Sequence, residues 1–170
     1  MPDDTGDTQN DQYIAESDAI QRFFRRPFFL SLTIGIPFCI FKLLFGLTAL
    51  GAGSPRDPLL FGFGLIVSLW AGLDLMMNIG RIGFDLANRP AGFEYCTIAE
   101  LGRLFKRPMV FLAIDTLLTF CIISAMLWSG WITRMTPLEL FLWYSATTLN
   151  LVSLSLVSLY NEIRAVRKKA

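Results

Sequence analysis

Four apolar runs, at about 28–50, 59–79, 109–131 and 138–160, alternate with two short turns and one longer polar segment. Each run holds about 20 residues, which at a rise of about 1.5 Å per residue matches the roughly 30 Å hydrocarbon core of a bilayer. The pattern predicts an all-α integral membrane protein, a bundle of four transmembrane helices. Too little polar sequence remains to cover four such helices in water, so the soluble alternative is set aside. The first run follows an acidic tail and exceeds the roughly 7–15 residues of a signal core, so it reads as a span and not as a cleaved leader.

The polar remainder divides simply. Residues 1–16, with Asp3, Asp4, Asp7, Asp11 and Glu16, have little to bury and predict a disordered acidic tail. The membrane domain takes 17–170, with a cytoplasmic segment at 82–107 and a basic C-terminal tail at 161–170. The outer turns, 51–58 and 129–137, are too small to fold into an ectodomain.

Charge sets the orientation. Twelve Lys and Arg residues fall before the first run, between the second and third, and after the fourth, against Arg56 and Arg134 in the outer turns, with Lys42 alone inside a span. The positive-inside rule then puts both termini in the cytoplasm, with the plasma membrane as the expected location. A net charge of +1 implies no attraction to nucleic acid. The chain contains no histidine, which excludes His-based metal sites and a His general base. Three cysteines, Cys39, Cys96 and Cys121, form no disulfide framework.

A repeat lies beneath this plan. Arg22-Phe23-Phe24-Arg25-Arg26-Pro27 returns as Arg103-Leu104-Phe105-Lys106-Arg107-Pro108, each copy standing directly before an apolar run. Asn78-Ile79-Gly80-Arg81 and Asn161-Glu162-Ile163-Arg164 share Asn-x-x-Arg at the ends of the second and fourth runs. Two parallel helical-hairpin repeats follow, each preceded by a short basic amphipathic interfacial helix. Chance is the rival explanation, since Arg, Phe and Pro are common at membrane edges. Asp18 with Gln21 and Thr97 with Glu100 are spaced as capping boxes for the two interfacial helices. Arg22, Arg25, Arg26, Arg103, Lys106 and Arg107 are the candidate contacts to anionic lipid headgroups.

Polar groups inside the runs are the candidate chemistry. Asp74, Asn78, Arg81 and Asp85 share one helix face. Asp74 lies about 10 Å inside the level of Arg81, where an unpaired carboxylate costs about 2.5–3.5 kcal/mol. It carries a proton or cation, or it pairs with Arg81 or Arg164 and fixes helix rotation. Asp115, with Thr119 one turn on, lies at a similar depth; the two acids form either a proton-binding pair or, with a base between them, a structural ion cluster. Lys42 is expected to snorkel to the outer interface. Asn150 is expected to hydrogen-bond between helices. The candidate polar cluster is therefore Asp74, Asn78, Arg81, Asp115, Asn150 and Arg164.

Smaller signals complete the picture. Gly64, Ser68 and Gly72 form a small-residue face for close helix packing. Pro37 predicts a kink in the first span. Trp128, Trp131 and Trp143 are expected as outer-interface anchors, with Tyr160 at the inner surface. No phosphate loop, cysteine pair or nucleophile–base set is present, and no catalytic, cofactor or metal site is expected. The first expectation for function is a non-enzymatic accessory or scaffolding subunit with its interaction surface on the cytoplasmic face, meeting membrane lipids and a membrane-protein partner or a second copy of itself. The alternative is a small ion- or proton-coupled transporter or channel using Asp74 and Asp115.

Overall fold

The computed structural model describes residues 26–53 and 57–167, with the backbone alone for Asn161 and for 163–167. Among them there is no strand, and four helices are long and apolar enough to cross a membrane. Helix α1 is Pro27–Gly53, α2 is Pro58–Leu86, α4 is Pro108–Trp128, and α5 is Pro137–Arg167, apolar as far as Tyr160. A short helix, α3, spans Thr97–Leu104. Arg22, Arg25 and the helix expected from Asp18 lie outside the described residues.

Proline starts each long helix because its missing N–H is not needed in the first turn. Asp57 caps α2, its carboxylate accepting from the amides of Leu59 and Leu60 at 3.0 and 3.1 Å. Gly130, at φ 68°, ends α4 by a left-handed step into the 3-10 turn Trp131–Arg134.

Pro37 makes its mark one turn upstream. A proline ring clashes with the carbonyl four residues earlier and offers no donor to it. The chain answers with a π-helical turn over Ser31–Gly35, and the Ile36 amide reaches back to the Ser31 carbonyl. The expected irregularity is therefore a widened turn.

Helix α1 is the hub, packing along α2 and also against α4 and α5. Its contact with α2 is a glycine seam. A Cβ at Gly64 would stand 2.6 Å from the Leu50 amide nitrogen, and one at Gly46 would stand 2.8 Å from that of Ser68. A Cβ at Gly72 would meet nothing among the described residues, so Gly64 and Ser68 belong to this internal seam and Gly72 does not. On the other side of α1, Phe38, Phe41, Leu44, Met126, Trp143 and Ala146 form the core. Trp143 corrects its expected place as an interface anchor. Its ring meets Phe41 edge-on at 4.9 Å between α1 and α5, because an indole fills that gap better than it serves a surface. Trp131 stacks on Phe45, and Trp128, 94% exposed, is free of such packing.

The segment between α2 and α4 folds back onto the bundle. Arg81 donates to the Phe93 carbonyl and lies 3.8 Å above the Tyr95 ring. The Asn78 amide donates to the Tyr95 carbonyl at 3.0 Å. The expected Thr97–Glu100 capping box does not form. Cys96 is the N-cap, its Sγ accepting from Ala99, while Glu100 accepts from the Glu94 amide and pairs with Arg103. Thr97 is instead committed to Asp74.

Candidate functional site: a buried cation shared by two carboxylates

Asp74 and Asp115 come together on Lys42. The Lys42 ammonium donates to Asp74 Oδ2 at 2.6 Å and to both oxygens of Asp115 at 2.8 and 3.1 Å. All three side chains are buried, Lys42 to 1% exposure. The ammonium also lies 4.3 Å from the centre of the Trp70 ring.

Lys42 therefore does not snorkel, and the reason is depth. Counted at about 1.5 Å per residue, Lys42 lies about 22 Å from Pro27 and Asp74 about 18 Å from Leu86. Helix α2 continues past Arg81 to Leu86, which brings Asp74 deeper than a count from Arg81 suggests. The remaining offset is within reach of a lysine. Asp115 is only seven residues into α4, a helix of 21 residues against 27 and 29 for α1 and α2. To reach Lys42, α4 must begin further along α1 than Pro27, the residue that starts α1. Helix α3 packs on α4 and touches α2.

Asp74 is held on its other side by α3. Its Oδ1 accepts from the Thr97 amide at 2.7 Å and from the Thr97 hydroxyl at 2.8 Å. The expected pairing of Asp74 with Arg81 is absent: Arg81 is spent on Phe93 and Tyr95. The Arg164 side chain lies outside the described residues. Asp115 has fewer partners, with Lys42 in front and the Cys96 thiol facing it. Burial, with the Asp115 charge beside it, pushes the Cys96 thiol up to about 12. It stays protonated and is no thiolate nucleophile.

Asn78 joins α2 to its surroundings. Its amide nitrogen donates to the Asp74 carbonyl at 2.9 Å and contacts Cys39 Sγ at 3.6 Å, while its Oδ1 has no partner. Asn150 does not make the expected interhelical bond. It is 7% exposed and its Oδ1 is also unpartnered.

These groups share a cavity of about 510 Å³ between α1, α2, α4 and α5. Cys39, Lys42, Asp74, Asn78, Asp115 and Asn150 line it on the polar side; Leu30, Ile34, Phe38, Leu112, Phe120 and Leu154 are among its apolar walls. Of the expected headgroup contacts, Arg26, Lys106 and Arg107 are exposed. Arg103 is half-committed, donating to the Gly92 carbonyl at 2.7 Å and pairing with Glu100. Among the described residues no His, Cys, Asp and Glu grouping fits a metal ion. Comparison with protein-family models, curated proteins and solved structures found no match.

Sequence reasoning missed Lys42 as a member of this cluster, together with Thr97, Cys96 and Cys39. The signal was present for Lys42: it is the single Lys or Arg within an apolar run, and a buried base needs an acid. Nothing local marked Thr97, whose partner is 23 residues away.

Proposed function

We propose that this protein is a small, non-enzymatic, proton-coupled membrane transporter, with Asp115 as the group that binds the proton. The observation that carries the reading is one buried cation serving two carboxylates at the wall of a cavity. A pair of one acid and one base would suffice to pin two helices. The additional carboxylate leaves the site with one negative charge in excess, which a proton or cation can balance. Asp74 has Thr97 as well as Lys42, so Asp115 is the carboxylate free to exchange its partner. The charged or titratable groups facing Asp115 are Lys42 and Cys39 on α1, Asp74 on α2 and Cys96 before α3; α5 contributes the neutral Asn150.

Proton entry into proteoliposomes under a potassium–valinomycin potential, followed with an enclosed pH dye, tests this. Wild-type protein should raise the rate above that of protein-free vesicles. Asp115→Asn should abolish the increase, and Asp85→Asn, at the far end of α2, should retain it. No increase with folded wild-type protein would discard the reading.

The reading keeps both termini cytoplasmic in the plasma membrane, from the distribution of Arg and Lys. Two parallel hairpin repeats also belong to it, supported by Pro27 and Pro108 both opening their helices.

A second reading, an accessory or scaffolding subunit, draws on α3 and the turn after it. Leu101, Leu104 and Phe105 are exposed beside Lys106 and Arg107. An apolar and basic surface of this kind suits anionic headgroups at a membrane edge, or a membrane-protein partner or second copy docked there. Cross-linking in native membranes would test it: a stoichiometric partner lost on Lys106→Glu/Arg107→Glu favours it, and an uncross-linked monomer argues against it.

A further inference from the structure

The cavity beside Lys42 has a wall chemistry that selects its occupant. Its volume of about 510 Å³ is in the range of about 300–1,000 Å³ typical of small-molecule sites. Most of the wall is apolar, and it includes Phe38 and Phe120, whose rings meet edge-on at 5.7 Å. Aromatic faces attract a cation in a dry site.

Three charges line the cavity, Lys42, Asp74 and Asp115, and they sum to −1. Among the described lining residues there is no second base. Two buried acceptors, Asn78 Oδ1 and Asn150 Oδ1, have no hydrogen-bond partner, and both residues line the space. Unpaired acceptors buried away from water are costly, and each presents negative density. An anion would meet an excess of negative charge here. A neutral apolar molecule would leave the acceptors and the charge uncompensated.

We propose that the cavity binds a lipophilic organic cation of single positive charge, its charged centre on Asp115 and its body against Phe38, Phe120 and Leu154. This rests on the transporter reading for its purpose, and on the cavity alone for its geometry. Lys42 does not have to leave for the ligand to enter. It keeps Asp74 at 2.6 Å and the Trp70 ring at 4.3 Å, so the cluster divides into a Lys42–Asp74 pair and an Asp115–ligand pair. A ligand bearing an N–H group gains Asn150 Oδ1 as an additional acceptor.

The test uses the full chain in nanodiscs and two probes of nearly equal shape and opposite charge, tetraphenylphosphonium and tetraphenylborate. Equilibrium dialysis is read against empty nanodiscs. The phosphonium should bind saturably to the wild type, and the borate should show partition into lipid only. Asp115→Asn should weaken phosphonium binding at least tenfold. Leu154→Trp, which narrows the cavity and leaves every charge in place, should do the same and decides the matter where Asp115→Asn does not fold. Saturable borate binding of equal capacity, or phosphonium binding untouched by these substitutions, would overturn the proposal. Saturable phosphonium binding without proton flux would leave this inference standing and remove the transporter reading. Proton flux without phosphonium binding would do the reverse.

Discussion

Thr97 is joined to Asp74 twice, its backbone amide at 2.7 Å and its hydroxyl at 2.8 Å both donating to the same carboxylate oxygen. The contact ties the start of α3 to the interior of α2. A hydrogen bond to a charged group contributes about 1.5–3 kcal/mol. Thr97→Val keeps the amide bond and the side-chain shape while removing the hydroxyl, so it should destabilise the protein by about 1–3 kcal/mol, and Thr97→Ser should recover most of that. Unfolding midpoints in mild detergent would show the order wild type, Ser, Val.

Removing Lys42 should cost far more. Lys42→Met leaves two carboxylates buried without their cation, and breaking a buried ion pair from one side destabilises by about 3–5 kcal/mol. Neutralising one acid as well should restore part of the loss. The double variant Lys42→Met/Asp115→Asn is therefore expected to be more stable than Lys42→Met alone, and a double-mutant cycle should give a coupling above about 1 kcal/mol. Additive effects would contradict the shared cation.

Gly35 is the place where the π-turn admits Asn78. A methyl at position 35 would overlap the Asn78 side-chain amide. Gly35→Ala should thus destabilise by about 1–3 kcal/mol, the usual range for overpacking. Asn78→Ala in the same chain should relieve the overlap, so the pair should be less than additive in a thermal unfolding series.

The α1–α2 seam predicts a contrast between two glycines of one stripe. Gly64→Val meets the backbone of Leu50 and Gly46 and should lower the unfolding midpoint or abolish folding. Gly72→Val meets nothing among the described residues and should change stability by less than about 0.5 kcal/mol. Equal effects at the two positions would place a second helix against Gly72.

Cys96 should report folding through its proton. The unfolded thiol ionises near its ordinary value of 9.0, whereas the folded thiol holds its proton to about 12. Over that interval the unfolded state binds fewer protons, so alkaline pH should erode stability from about pH 9 upward. At pH 8, iodoacetamide should leave Cys96 unmodified in the folded protein and alkylate it after denaturation, as read by peptide mass spectrometry.

The helices were legible because length and continuous hydropathy are local signals, and Pro27, Pro58, Pro108 and Pro137 mark where each starts. The two acids were legible as well, since a carboxylate inside an apolar run requires an explanation. What joins them was not. The meeting of Lys42 with the acids depended on α2 continuing to Leu86 and on Asp115 lying only seven residues into α4, with the fold-back of 87–96 between the two helices. That segment, with Pro90 and Gly92, carries no periodicity. Its order comes from Arg81 and Asn78 gripping the carbonyls of Phe93 and Tyr95 across 12 and 17 residues. Trp143 and Asn150 were misplaced for a related reason: helix rotation decides what they face, and α5 has apolar residues on every side.

Helix α1, on which α2, α4 and α5 lean, shares an ion pair with the helix that follows it in the chain. The α1–α2 hairpin by itself contains Lys42 and Asp74, two opposite charges able to cancel without α4 or α5. The pair can thus enter lipid as a neutral unit. Asp115, on a helix later in the chain, then adds its charge to a cation that Asp74 already balances.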